Sequence, residues 1–178
     1  MPSMPWCVND VLWETLSERA LETHAKGHAR AADRLWRDAG AIAATFATDD
    51  PRRAASLNNL AMTAPDGVAR MRAAVAAWER AAQWVARMDP GARARGSTFH
   101  MRLEQRHREA YRETGRAVLR RALDEALAVT RFNLARLEGA EDPGAPPRPP
   151  AVAHTHEFGD ARKLEAAVRL TARVLSER

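Results

Sequence analysis

The chain has 178 residues, a formal charge of +5 and a sequence pI near 10.5, with one cysteine, Cys7. That length suits one domain with a sizeable core; a single cysteine excludes an internal disulfide and points to a reducing cytoplasm, and no apolar run approaches the ~18 residues a membrane span needs. Ala, Leu and Arg dominate and Tyr111 is the only tyrosine, so composition favours helix over sheet. The basic excess admits nucleic acid or an acidic protein as partner, or no more than an Arg-rich coding bias, since only Lys26 and Lys163 are lysines.

Residues 1–8, with Pro2, Pro5 and Trp6, read as an extended arm, and the opening MPSMPWCVNDVLW lacks the basic-then-apolar order of a secretory signal. Asn9 or Asp10 is placed to cap a first helix reaching about Lys26, a side-chain oxygen there accepting an orphan backbone N–H. Val11, Leu12, Leu16, Ala20 and Leu21 are its inward residues. Gly27 interrupts, and a second helix over about His28–Phe46 turns Ala32, Leu35, Trp36, Ala39, Ile42 and Phe46 inward. Thr48-Asp49-Asp50-Pro51 stops and restarts the chain, because proline's missing N–H costs nothing in a first helical turn. Pro51–Met88 then divides at Pro65-Asp66-Gly67 into two helices. Leu57, Leu60 and Ala61 mark one apolar face, and Val68, Met71, Val75, Trp78, Ala82 and Val85 the next, at the steps of three and four that identify amphipathic helix. Neither helix hides its face alone, so the pair needs a neighbour on each side.

Asp89-Pro90-Gly91 ends the fourth helix. A fifth is expected over about Thr98–Glu113, a break at Gly115, and a sixth over about Arg116–Leu137 with Val118, Leu119, Ala122, Ala126, Val129, Phe132 and Leu137 inward. Residues 139–158 form a stiff Pro-rich linker. A last helix, about Gly159–Glu177 within residues 159–178, is expected to cap the open end of the stack, since its apolar face would otherwise lie in water. The helical domain proper spans residues 9–138.

Ala32, Trp36 and Ala39 recur as Ala74, Trp78 and Ala81, each 42 residues later, and Leu16/Ala20 recur as Leu57/Ala61 in the helix preceding each. Tyr111, Gly115, Ala122 and Ala126 form a weaker third copy. The run Asp50–Ala61, DPRRAASLNNLA, resembles the link into a Ser-Leu-Asn-Asn-Leu-Ala helix found in tetratricopeptide repeats, specifically the longer-period repeats of kinesin light chains. Gly27 followed by Ala32, Trp36 and Ala39 resembles the same family's glycine turn and small–aromatic–small pattern. The likeness covers about residues 11–137 and is clear in the first two repeats; the turn after Ala61 carries Pro65-Asp66 where the family places an aromatic residue. The resemblance implies an all-α fold of stacked antiparallel helix pairs, a short right-handed solenoid of two to three repeats whose first helices line a concave groove. The groove positions that match are Ser17, Leu21 and His24 in the first repeat, and Asn58, Asn59 and Met62 in the second. In such grooves asparagine amides hold the backbone of an extended peptide, being donor and acceptor at once. The other reading of Asn58 and Asn59 is that they cap or bridge neighbouring helices.

Arg93–Arg121 is the densest basic segment. Arg102 and Arg106 lie one helical turn apart, as do Arg116 and Arg120, and together they offer a positive surface for carboxylates or phosphates. The alternative is a solvated face paired with Glu104, Glu109 and Glu113. Aromatic residues among these arginines are too few for a single-strand nucleic-acid binder. The pairs His24/His28, His100/His107 and His154/His156 lack the ligand set and spacing of a zinc site, so no metal or cofactor is implied. Gly-rich phosphate loops, a Gly-x-Ser-x-Gly elbow and His-Glu-x-x-His are all absent, and the chain reads as a non-enzyme. The expectation is a protein–protein interaction scaffold, an adaptor or assembly factor that binds a peptide segment or subunit, an acidic one included, with Arg102 and Arg106 attracting carboxylates. The alternative is a nucleic-acid-associated helical protein acting through its Arg-rich surface.

Overall fold

The computed structural model describes residues 8–87, 105–141, 143–144, 147 and 160–173. Among them all regular structure is helical: α1 (Val8–Ala25), α2 (Ala29–Ala43), α3 (Pro51–Ala61), α4 (Gly67–Arg87), α5 (Gln105–Leu137) and α6 (Asp160–Arg169). Helix α1 packs on α2 and α3 on α4; α2 also meets α3, α4 meets α5, and α6 lies against both α3 and α5.

Local sequence explains the joints. Gly27 takes φ +80°, the left-handed conformation that lets α1 end in a tight turn. The His28 N–H donates to the Thr23 carbonyl at 3.1 Å and the Gly27 N–H to that of His24 at 2.9 Å, pairing two carbonyls the helix end would otherwise orphan. Asp50 caps α3, accepting from the Arg52 N–H at 2.9 Å, and Pro51 occupies the first turn. At Gly67 a Cβ would lie 2.6 Å from the Ala61 carbonyl oxygen, so the α3–α4 turn closes this tightly only around glycine.

The repeat is a repeat of packing. Ala32, Trp36 and Ala39 on α2 and Ala74, Trp78 and Ala81 on α4 are all no more than 1% exposed, so positions 42 residues apart do the same work in successive pairs. Small residues let the helices approach and the indoles fill the space between them.

Several expectations are overturned. Helix α5 runs unbroken through Gly115, so Tyr111 and Gly115 do not mark a third helix pair. A mid-helix glycine costs only about 1 kcal/mol relative to alanine, less than a breaker must. On the same helix Val118, expected inward, is 61% exposed. On α1 the buried stripe is Asp10, Trp13, Ser17 and Ala20, while Val11 and Leu12 face outward. Asp10 lies inside α1, and its carboxylate turns inward to the Arg52 guanidinium. Finally, α6 ends at Arg169, well short of residue 177, and lies across α3 and α5 rather than on the end of the stack.

Arg52 is the ionic centre of the first two pairs. It donates to Asp10 on α1 and, through Nε and Nη2, to both carboxylate oxygens of Asp50 at 2.9 and 2.6 Å. Its guanidinium stacks 3.6 Å from the Phe46 ring centroid. Burial on its own would push the Arg52 pKa down, but Asp50 and then Asp10 hold it above the usual arginine value. Nearby, the Trp13 indole N–H donates to Ser56 Oγ at 2.9 Å, joining α1 to α3 a second time.

Candidate functional site

Past Arg169 the chain leaves the helix, and residues 171–173 run without regular structure along the face made by α3 and α5. The helix end is closed locally: the Leu170 N–H donates to the Ala166 carbonyl at 2.9 Å, and Thr171 Oγ1 donates to that of Ala167 at 2.8 Å. Among the described residues no strand lies beside residues 171–173 to bond, so side-chain amides supply the partners their buried backbone requires.

Three asparagines do this. Asn59 Nδ2 donates to the Leu170 carbonyl at 2.8 Å, while its Oδ1 accepts from the Ala172 N–H at 2.7 Å. One amide thus imitates the two-way pairing of a neighbouring strand, reading the main chain on either side of Thr171. Asn58 Nδ2 donates to the Ala172 carbonyl at 2.8 Å and to Asn59 Oδ1 at 3.0 Å. Asn133, from α5, donates to the same Ala172 carbonyl and to Asn58 Oδ1, each at 2.9 Å. All three side chains are at most 1% exposed, so these bonds form out of reach of competing water.

Apolar and charged contacts complete the seat. Ala172 sits in a small cluster with Ala20, Ala32 and Trp36, flanked by Leu21 and Met62. Leu164, Val168 and Leu170 enter the main core. On the α1 side Glu14 accepts from Arg162 at 2.5 Å and from Arg169 at 2.7 Å, and Glu18 accepts from Arg169 at 2.9 Å. Beyond the clamp, Arg173 Nη1 donates to the Pro147 carbonyl at 2.8 Å.

The structure therefore brings together four of the residues expected to line a groove. Asn58 and Asn59 bond the backbone of Leu170 and Ala172, a segment of the chain's own, and Leu21 and Met62 flank Ala172. Ser17 is buried in the α1 stripe. The His24 ring packs 4.9 Å from that of Trp36. Arg102 lies outside the described residues, and Arg106 lies in α5 where side chains are not described; farther along α5, Arg116, Arg120 and Arg121 are exposed. The α1 side of this seat carries Glu14 and Glu18, paired with Arg162 and Arg169. Asn133 was not anticipated, although the triplet Asn59-Leu60-Ala61 recurs as Asn133-Leu134-Ala135 and sets the register that Tyr111 and Gly115 do not.

His24 supplies a measurable pH effect. Neither ring nitrogen has a hydrogen-bond partner among the described residues, and burial lowers its pKa below the usual 6.5. The folded chain then holds fewer protons than the unfolded one below pH 6.5, so stability falls as pH drops from 6.5 through the lowered value. His24→Gln is expected to flatten that part of a stability-versus-pH curve from urea midpoints; an unchanged slope would assign it to other groups.

Among the described residues no group of three or more His, Cys, Asp or Glu is placed to hold a metal ion, and no helix is long and apolar enough to cross a membrane. Compared with family models, curated proteins and solved structures, the chain matches none.

Proposed function

We propose that this protein is a non-catalytic protein-interaction scaffold, an adaptor or assembly factor, whose helical groove grips an extended segment by its main chain. One observation carries the reading: Asn58, Asn59 and Asn133 direct their amides at the backbone of Leu170 and Ala172. Recognition of a peptide unit does not depend on the side chains it carries, so the same seat suits segments of other sequence. The 42-residue recurrence of Ala-Trp-Ala positions with matched burial supports a tetratricopeptide-like stack, in which α1, α3 and α5 are the helices that face the ligand.

The test uses the full chain carrying Ala172→Pro, which removes the N–H that Asn59 accepts and loosens the resident segment. A labelled peptide of residues 160–173 is expected to bind this variant, and to lose binding when its own Ala172 nitrogen is methylated. Equal binding of the two peptides, or none of either, would remove the scaffold reading. If the same preparation instead binds DNA or RNA with affinity that falls steeply with salt, the Arg-rich surface takes its place.

A further inference from the structure

Resting on that scaffold reading, we infer that residues 160–173 are an intramolecular stand-in for a partner, and that the partner is a basic segment of another protein built the same way. Its form is a short amphipathic helix with arginines two turns apart, running into a three-residue non-helical end of which the last residue is small.

Each part of this description comes from a contact. The arginines match Arg162 and Arg169, which converge on Glu14 with Glu18 beside it, so the α1 wall selects positive charge. Glu14 is only 12% exposed as a side chain, which keeps its two ion pairs away from full solvent screening. The helix matches α6, whose Leu164 and Val168, one turn apart, enter the core. The non-helical end matches Leu170–Ala172, held through main-chain groups by the asparagines. The small last residue matches Ala172, wholly enclosed by Ala20, Ala32 and Trp36 with Leu21 and Met62 at its flanks.

The resident segment makes this contact as a tether. It is joined to α5 through the Pro-rich residues 139–158 and presses on α3 and α5 with no later described element behind it. A tethered segment competes at an effective concentration on the order of millimolar. A free segment with equal contacts thus meets a groove that is almost always filled, and any change that loosens the tether's own grip raises the apparent affinity for an incoming one.

The experiment exploits the charge match, with a labelled peptide of residues 160–173 as probe and full-length chains as receptors. Arg162→Glu/Arg169→Glu in the chain repels its own segment from Glu14 and is expected to raise affinity for the native peptide about tenfold or more over wild type. Glu14→Arg/Glu18→Arg is expected to refuse the native peptide and to accept one carrying glutamate at both arginine positions. That restoration separates charge recognition from a general loss of fold. Native and reversed peptides binding each chain alike would overturn the inference. So would a wild-type dimer, seen by light scattering and dissolved by the peptide, which would make the occupant a second copy. If Ala172→Pro takes up the peptide in an N-methyl-sensitive way while the charge variants do nothing, the scaffold stands and this inference alone fails.

Discussion

Replacing Arg52 with leucine is expected to destabilise the chain by about 3–5 kcal/mol, the usual consequence of removing one partner from a buried ion pair. The size follows from what is left behind. Asp10 and Asp50 are 2% and 3% exposed, and without the guanidinium two carboxylates face each other in a space closed by Trp13 and Phe46. Asp50 would keep its cap bond to the backbone N–H of residue 52, but Asp10 would lose the bond that turns α1 inward. Since most small domains have only about 5–15 kcal/mol in hand, such a variant approaches the edge of folding. Urea unfolding followed by circular dichroism measures it. A loss under about 1 kcal/mol would mean that water reaches the site and that α1 is held by other contacts.

Asn59→Ala is expected to act more locally. It leaves the Leu170 carbonyl and the Ala172 N–H without partners, each costing about 1–3 kcal/mol if they stay buried. Opening of the segment exposes both groups to water, against the cost of uncovering Leu164, Val168 and Leu170. Hydrogen exchange should therefore show Ala172 and the amides of α6 losing protection while those around Trp78 on α4 keep theirs. Uniform loss along the whole chain would show that the segment is a fixed part of the core and not a separable one.

The start of helix α3 is legible from its letters, since Asp50-Pro51 announces the cap. Its inner face is less so: the apolar pattern marks Leu57, Leu60 and Ala61, whereas the buried residues include the small or polar Ala54, Ala55, Ser56, Asn58 and Asn59, and Asn58 bridges to Asn133 on α5. What escaped has physical reasons. On α1 the buried stripe contains Asp10 and Ser17, so hydropathy points to the wrong face; what turns the helix is a charge 42 residues away. On α5, Gly115 carries too small a penalty to stop a long helix supported by its neighbours. The end of α6 has no local signal at all, because Leu170, Thr171 and Ala172 contain neither glycine nor proline. The helix stops there because amides more than 100 residues earlier offer its backbone an alternative set of bonds, a choice made by tertiary contacts.

The amide clamp also sets an order of events during synthesis. Asn133 and Ala172 are 39 residues apart, an interval that a ribosome adding about 5–20 residues per second crosses in roughly 2–8 s. Until residue 172 is made, the Ala172 backbone groups that Asn58, Asn59 and Asn133 meet in the folded chain do not exist. The clamp therefore closes only when nearly the whole sequence of residues 8–173 has been made, which places it among the last contacts of folding.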